Sequence, residues 1–332
     1  MVGQDGGQSL SCDRGHIFLF SDTLLVSSDK ALWESAQPAP VPVPADLHTI
    51  FLSNCAAVSD ADTLDAALSS LRYFADDHGL PREVLVSDER DRFRRVRFWP
   101  EHGISIGNRI YVYYLAVQTT DASSVWGFRS LGTGLAEMDS ETGHCRRVTQ
   151  HGDWLLWRNM VDDFHLGVHV VREDDVLYVF GSIRRGFHYE GLLARVRADR
   201  IDDPAAYDFL ASSAPTWTPL LGDAASLGPA SSGYSVSFNQ HLGRYTLFYV
   251  DGYSRRLLVR TARRVWGPYS EPYDMFGLPA RPTSELLYLG FEHASFQREG
   301  GRTVYVSYCE PHFAPGSLVT LTVDPLNGDG AP

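Results

Sequence analysis

The sequence contains few cysteines, no long apolar run and no excess of basic residues. Its four cysteines (Cys12, Cys55, Cys145 and Cys309) form neither a CxxC pair nor a zinc-binding pattern, so we expect reduced thiols in a cytoplasmic protein. No segment is apolar enough to span a bilayer, and no secretory signal pattern is visible. The net charge of −12 argues against nucleic acid or a membrane as the partner.

One basic cluster interrupts this acidic composition. It reads RDRFRRVR over Arg90–Arg97, and Asp88, Glu89 and Asp91 lie beside or within it. We interpret the cluster as a solvated strand or loop face, because the neighbouring carboxylates neutralise part of its charge. The alternative interpretation is a site for a polyanion.

Residues that favour strands and turns are abundant, with 16 Tyr, 17 Phe, 7 Trp, 29 Gly and 18 Pro. Five times, a polar turn containing Gly or Asp is followed by an aromatic, β-branched run. The five runs are DRGHIFLFSDT, GNRIYVYYLAV, REDDVLYVFGSI, HLGRYTLFYVDG and EGGRTVYVSYCEP. The strand-like segments before them are GQSLSC, HGISI, GVHVV, YSVSF and HASFQ. This pattern predicts five β-hairpins.

The spacing of the hairpins predicts how they are arranged. Successive turns are roughly 60–90 residues apart, which suits repeated multi-stranded sheets. Third strands are predicted at Leu192–Val196 and Leu257–Thr261, and fourth strands are predicted to begin near Trp217 and Trp266. We therefore predict an all-β fold, a five-bladed β-propeller formed as a single domain by residues 1–332. A two-sheet sandwich is the alternative, although sandwiches rarely repeat one hairpin pattern at this period.

The first interval is the longest and predicts a helical or loop insertion at about 27–95. Within it, Pro38–Pro44 (PAPVPVP) is typical of a stiff, extended linker. Ser59 is a candidate N-cap. Apolar residues at helical spacing follow it: Leu64, Leu68, Leu71 and Phe74. We predict one inserted amphipathic helix over 59–78, between the first and second blades, packed on the side or rim of the propeller or forming a lid.

Two carboxylates flank the turn of the first hairpin. With a two-residue turn at Asp13 and Arg14, Asp5 falls opposite Asp22. Directly paired residues have Cβ atoms about 4.5–5.5 Å apart, so one carboxyl would hold its proton more tightly and leave an acid beside a nucleophile or base. This separation favours a retaining glycosidase, and a bulge would change it. The plainer interpretation is an ordinary turn and strand end.

Polar side chains recur at the same end of the other hairpins. Because the inner hairpins of a propeller converge on one axis, these side chains are candidates for an axial substrate-binding pocket. They are Trp99, Glu101 and His102 in the second hairpin, His165 and His169 in the third, Tyr234, Ser235 and Asp251 in the fourth, and Glu292, His293, Glu310 and His312 in the fifth. Taken singly, each is more often structural. No cofactor is required, and a metal ion on the axis, held by histidines with Glu292 or Asp251, stays an open alternative.

Four groups of segments carry a resemblance to a known family. They are QDGGQS followed by FLFSDT, YSVSFNQHLGRYTLFY, LLVRTARRVWGPYSEP, and RVRADRIDDPAAYDFL followed by Trp217. These segments resemble five-bladed propeller proteins related to glycoside hydrolases, in a family long described only as a domain of unknown function that includes endo-D-arabinanases. The resemblance covers most of the chain outside 27–95.

This resemblance implies roles for the two aspartates. In the arabinanase branch the catalytic carboxylates belong to the N-terminal Asp-Gly-Gly segment and to the end of the first hairpin, positions that match Asp5 and Asp22. The resemblance thus implies that Asp22 is the nucleophile and Asp5 the general acid/base. The chain departs from the family in having Phe20-Ser21-Asp22-Thr23 where Phe-Gly-Asp-Thr is common.

Three functions stay open at this point. The first is a glycoside hydrolase, arabinanase-like, that acts on a furanoside or a glycosylated small molecule through the Asp pair. In that case Trp99 would stack on the sugar, and His102, Tyr234 and His293 would bind its hydroxyls. The second is a non-hydrolytic cyclase or lyase of small-molecule biosynthesis on the same scaffold. The third is an inactive carbohydrate-binding propeller.

Overall fold

The computed structural model describes residues 3–27, 48–121, 127–159, 163–212, 215–279, 286–310 and 317–323. These residues form five antiparallel sheets, so the predicted all-β, five-bladed propeller is confirmed. The first four sheets begin with predicted hairpins, and the fifth begins with β21, which precedes the predicted first strand of the fifth hairpin. The inserted segment 38–44 and the candidate residue His312 lie outside the described residues.

In the first two blades, neighbouring strands of the sheet follow one another along the chain. The exceptions are β3 and β10, which share a partner strand with another strand. Blade 1 contains β1 (Gly3–Cys12), β2 (Gly15–Ser27), β3 (His48–Leu52), β4 (Cys55–Ser59) and β5 (Arg72–Tyr73). Blade 2 contains β6 (Val96–Ile106), β7 (Arg109–Thr119), β8 (Phe128–Met138), β9 (Cys145–Arg147) and β10 (Trp157–Arg158). Strand β3 pairs with the second half of β2 (Thr23–Ser27), and β4 pairs with its first half (His16–Phe20). Strands β9 and β10 both pair with β8.

The remaining blades repeat this arrangement. Blade 3 contains β11 (Phe164–Glu173), β12 (Val176–Arg185), β13 (His188–Arg197), β14 (Asp208–Ser212), β15 (Thr216–Thr218) and β16 (Pro229–Ala230). Blade 4 contains β17 (Ser235–Asn239), β18 (Arg244–Asp251), β19 (Arg256–Ala262) and β20 (Tyr273–Gly277). Blade 5 contains β21 (Tyr288–Glu292), β22 (Thr303–Cys309) and β23 (Ser317–Thr322).

The first strand of each sheet lies at the centre of the molecule. Strand β6 contacts β1 and β11, strand β17 contacts β11 and β21, and β21 contacts β1, which closes the ring. We call β1, β6, β11, β17 and β21 the inner strands, and the end at which they begin the upper end. All five run the same way, so side chains near their first residues converge there.

Apolar side chains fill the interfaces between neighbouring blades. Because strand residues alternate between the two faces of a sheet, each blade contributes one face to each of two interfaces. Buried representatives, in order around the ring, are Ile17 with Phe98, Tyr113 with Leu177, Phe180 with Tyr245, Phe248 with Val306, and Phe18 with Tyr305.

The predicted helix over 59–78 is wrong in its extent. Ser59 ends strand β4, and helix α1 covers only Leu64–Ser69, with Thr63 as its N-cap. The chain then returns to the sheet, because the backbone N–H of Phe74 bonds the carbonyl of Ala56 and β5 pairs with β4. Three strands of blade 1, β3, β4 and β5, therefore lie within the segment 27–95.

Three smaller predictions also change. The basic cluster contains a second short helix, α2 (Glu89–Phe93), where we expected a strand or loop face. The HASFQ segment is not a strand: Ala294–Phe296 is a 3-10 turn, and β21 precedes it. The last strand of blade 4 is Tyr273–Gly277 and does not include Trp266.

Two further facts concern the chain as a whole. The four cysteines, all within the described residues, are free. No helix among the described residues has the length and apolar character needed to cross a bilayer.

Candidate active site

The first hairpin has the predicted register at its turn. Cys12 pairs with Gly15 and Ser9 with Phe18. Two β-bulges follow, one on each side of Gly6, which has positive φ as Gly7 does. They cancel, because Gln4 pairs with Thr23 in the original register. Asp5 therefore lies across from the Ser21–Asp22 segment at the upper end.

Asp22 is buried and surrounded by donors from blade 2. The indole N–H of Trp99 donates to its Oδ1 at 2.7 Å, and Arg97 Nη1 lies 3.2 Å from Oδ2. Burial raises the pKa of Asp22 to about 6, while Arg97 and Trp99 oppose the rise. The guanidinium of Arg97 is itself held over the rings of Phe51 and Trp99, at 5.2 and 5.7 Å.

Asp5 has a different environment and keeps some solvent contact. The hydroxyl of Tyr288, in blade 5, donates to Asp5 Oδ1 at 2.6 Å. Burial and then the charge of Asp22 raise the pKa of Asp5 to about 7. Near neutral pH Asp22 thus ionises first, and its charge holds the proton on Asp5. Of the two carboxyls, Asp22 is the more readily ionised and Asp5 the more readily protonated.

A group of side chains from blade 1 supports the strand segment that carries Asp5. The hydroxyl of Tyr73 donates to Gln4 Oε1 at 2.9 Å, and Gln4 Nε2 lies 3.2 Å from Cys55 Sγ and 3.4 Å from Thr23 Oγ1. Gln4 and Thr23 are the pair that restores the register beyond the bulges. These contacts fix the backbone on both sides of the aspartates.

A second ionisable group lies between blades 2 and 3. His165 Nε2 is 3.2 Å from Asp163 Oδ1, and His165 Nδ1 is 3.7 Å from Glu101 Oε1. Burial alone would lower the pKa of His165, but Asp163 and Glu101 raise it overall. Burial raises the pKa of Glu101 to about 7, against the charge of His165. Nδ1 of His165 is buried and has no hydrogen-bond partner among the described residues.

The other three candidate histidines lie deeper and link the inner strands. The rings of His102 and His169 stack with centroids 4.0 Å apart, and the backbone N–H of Val170 donates to His102 Nδ1 at 3.2 Å. His293 Nδ1 is 2.9 Å from Ser9 Oγ. Burial lowers the pKa of His102 and His293 to about 4. These rings are neutral at pH 7, and they join blade 2 to blade 3 and blade 5 to blade 1.

The remaining candidates also make contacts between blades or within turns. Tyr234 is fully buried, and its hydroxyl donates to the carbonyl of Gly181 at 2.7 Å. Ser235 Oγ accepts from the backbone N–H of Glu292, whose carboxylate accepts from Ser237 and Gln297.

Two candidates lie near the ends of strands β18 and β22. Asp251 binds Ser254 Oγ at 2.6 Å within the β18–β19 turn, and Glu310 is buried just after β22. No group of three or more His, Cys, Asp or Glu side chains within the described ranges is placed to hold a metal ion.

Three residues at the site escaped the sequence analysis: Arg97, Asp163 and Tyr288. Arg97 could have been found, because it lies two residues before Trp99 and strand alternation puts both side chains on one side of β6. Tyr288 comes from the last blade, 283 residues from Asp5. Only closure of the ring brings those two side chains together.

Comparison with known proteins places the chain in a family. A family model described as "Domain of unknown function (DUF4185)" matches residues 11–324. The chain belongs to this family. The family match includes Asp22 and begins after Asp5. No curated protein matches the sequence.

Solved structures share the fold of this family member at low sequence identity. A structure from Bacteroides ovatus ATCC 8483, whose hydrolase assignment is itself provisional, is 17% identical with a TM-score of 0.61 and covers 92% of this chain and 79% of its own. The GH43_1 enzyme of Xanthomonas citri, in complex with xylotriose, is 15% identical with a TM-score of 0.53 (97% and 87% covered). A GH32 β-fructofuranosidase of Bombyx mori, in complex with sucrose, is 12% identical with a TM-score of 0.54 (99% and 63% covered). The fold is that of a glycoside hydrolase-like propeller.

Proposed function

We propose that the protein is a glycoside hydrolase that acts on a furanoside or a glycosylated small molecule through Asp5 and Asp22. The observation that carries the proposal is the pairing of these two carboxyls on adjacent strands, with pKa values of about 7 and about 6. Glycoside hydrolysis needs one carboxyl that donates a proton and one that is ionised. The saccharide ligands in two structures of similar fold, xylotriose and sucrose, support a saccharide substrate.

The proposed reaction has two steps. In the first, a carboxylate oxygen of Asp22 attacks the anomeric carbon, the glycosidic C–O bond breaks, and the leaving oxygen takes the proton of Asp5. In the second, Asp5 removes a proton from water, the water oxygen attacks the anomeric carbon, and the bond to Asp22 breaks. Both carboxyls return to their starting protonation states, and the anomeric configuration is retained.

The neighbours of the aspartates support these roles. Arg97 and Trp99 hold Asp22 in one orientation and favour its charged form, as a nucleophile requires. Tyr288 orients Asp5 by donating a hydrogen bond to its Oδ1. Glu101 lies two residues after Trp99 on β6 and faces His165 of β11.

Three variants test the proposal on a panel of aryl furanosides. Asp22→Asn should lower turnover by on the order of 10³-fold or more, because no carboxylate remains to attack the anomeric carbon. Asp5→Asn should have its largest effect, about 10²-fold to 10⁴-fold, on substrates with poor leaving groups, which need protonation most. Asp60→Asn, an exposed aspartate paired with Arg72, is the control and should retain activity. Full activity in both site variants would refute the proposal.

A further inference from the structure

A cavity lies at the upper end of blade 2. Its volume is about 530 Å³, and its walls come from helix α2, the upper ends of β6, β7 and β8, and residues 151–158. Four arginines and an indole line it: Arg90, Arg94, Arg129, Arg158 and Trp154. We call this cavity the arginine pocket.

The arginine pocket contains more positive charge than its own carboxylates neutralise. Asp153 pairs with Arg158 at 2.5 Å, and Asp91 pairs with Arg147 at 2.9 Å. Within the described part of the chain, Arg90, Arg94 and Arg129 have no carboxylate partner. Their concentration at one place contrasts with the net charge of −12 for the whole chain.

Local structure holds these arginines together despite their mutual repulsion. Asp88 and Asp91 form a capping box that fixes α2. Arg90 and Arg94 are four residues apart, so they lie on one face of the helical turn, where like charges are destabilising. Across the cavity, Arg129 donates to Gln118 Oε1 at 3.0 and 2.7 Å through Nε and Nη2. An anion in the pocket would remove this repulsion.

The arginine pocket and the Arg97–Asp22 contact both lie at the beginning of β6, on opposite faces of that strand. Val96, in its wall, directly precedes Arg97, which contacts Asp22. Val96, Gln118 and Arg129 are cross-strand neighbours, so the pocket extends outward from the first residues of β6. A substituent of a saccharide bound at Asp22 would reach the arginines by passing over the upper end of β6.

We propose that the arginine pocket binds an oxyanion group of the substrate, so that the enzyme acts on an acidic saccharide carrying a sulfate, phosphate or carboxylate. The substrate part of this inference rests on the proposed glycosidase function. Guanidinium groups match the geometry of such oxyanions, and the indole of Trp154 in the same wall suits a sugar ring. This proposal develops the alternative interpretation of the basic cluster, a site for a polyanion.

Binding of inorganic anions tests the site independently of catalysis. Sulfate, phosphate and acetate are titrated into the full chain by calorimetry at constant ionic strength. We expect saturable binding of at least one anion at one site per chain. In Arg94→Gln/Arg129→Gln binding should weaken by at least about tenfold, since each charge-assisted hydrogen bond contributes substantially to affinity.

A matched double variant distinguishes anion binding in the arginine pocket from a general effect of positive charge on the protein. Arg14→Gln/Arg109→Gln removes two exposed arginines at the opposite end of the strands, and it should bind the anions as the unmodified protein does. Equal weakening in both double variants would overturn the proposal, and so would a lack of saturable binding by all three anions. All four substituted arginines are exposed, and thermal unfolding confirms that each variant is folded.

The substrate part has its own test. An Asp22→Asn protein is titrated with a furanose oligosaccharide and with its sulfated form. The sulfated form should bind at least about tenfold more tightly, and Arg94→Gln/Arg129→Gln should abolish the difference. Equal affinity for the two sugars would refute an acidic substrate. A failure of the glycosidase proposal is detected by a different result, undiminished turnover in Asp5→Asn and Asp22→Asn.

Discussion

Arg97 makes the two aspartates chemically different. It places a permanent cation 3.2 Å from Asp22, whereas Asp5 receives a neutral phenol hydroxyl from Tyr288. Both carboxyls are raised in pKa by burial, and Arg97 limits the rise for Asp22. In the proposed mechanism, this charge from blade 2 favours Asp22 of blade 1 as the nucleophile.

The pH dependence of turnover should report this difference. Activity should rise as the pH passes about 6, where Asp22 ionises, and fall as it passes about 7, where Asp5 loses its proton. In Arg97→Gln the pKa of Asp22 should rise, so the acidic limb of kcat/KM should move up by about one pH unit or more. The exposed Arg95→Gln is the control. An acidic limb that stays in place in Arg97→Gln would contradict this role.

At the scale of single elements, bulges in the inner strands orient the polar side chains of the site. Strands β1, β6, β11 and β21 all depart from regular pairing near the site. In β11 the irregularity includes Gly167, whose φ is 93° and whose Cα lies so close to Tyr113 of blade 2 that a Cβ would overlap that side chain. This close approach lets His165 and His169 project on either side of the bulge.

A pair of glycine substitutions in blade 3 tests the importance of this packing. Gly167→Ala would bring a Cβ within 2.2 Å of Tyr113, whereas Gly186→Ala, with φ of 64°, meets nothing within 4 Å. Both carry the backbone cost of about 1 kcal/mol, and Gly167→Ala should lose roughly 1–3 kcal/mol more of unfolding free energy. Urea denaturation measures the difference. Equal losses would mean that the bulge is not held by blade 2.

Local rules explain which elements were predictable from sequence. The register of the first hairpin follows from its two-residue turn, and the five repeated runs predict five sheets. The bulges escaped prediction, because Gly167 is required by Tyr113, a residue of another blade. The prediction of a helix over 59–78 was wrong in its extent, because Leu71 and Phe74 have helical spacing but belong to a segment that pairs with β4.

At the scale of the whole molecule, several predicted substrate residues close the ring. His102 contacts the backbone of Ser9 and Val170, and His169 contacts the backbone of Val236. Glu292 joins blades 4 and 5 through Ser237. These groups lie on or next to the inner strands. Their contacts with neighbouring blades could not be predicted from the sequence, because they form only in the packed ring.

Blades 1 and 5 are joined at the axis by Ser9 and His293. His293 Nε2 has no hydrogen-bond partner among the described residues, so Ser9→Ala would leave both ring nitrogens unsatisfied. We expect a loss of about 1–3 kcal/mol in unfolding free energy, with faster amide exchange in both β1 and β21. Ser11→Ala, exposed on the same strand, should change stability by less than about 0.5 kcal/mol. Faster exchange in β1 alone would contradict closure through this pair.

The proposed mechanism requires that Asp22 is the side chain that becomes glycosylated. The most direct measurement is mass spectrometry of the protein after reaction with a furanoside inactivator that forms a slowly hydrolysed ester. We predict one sugar per chain, attached to Asp22 and absent from Asp22→Asn. Attachment to another carboxyl, such as Glu101 or Asp163, would contradict the mechanism.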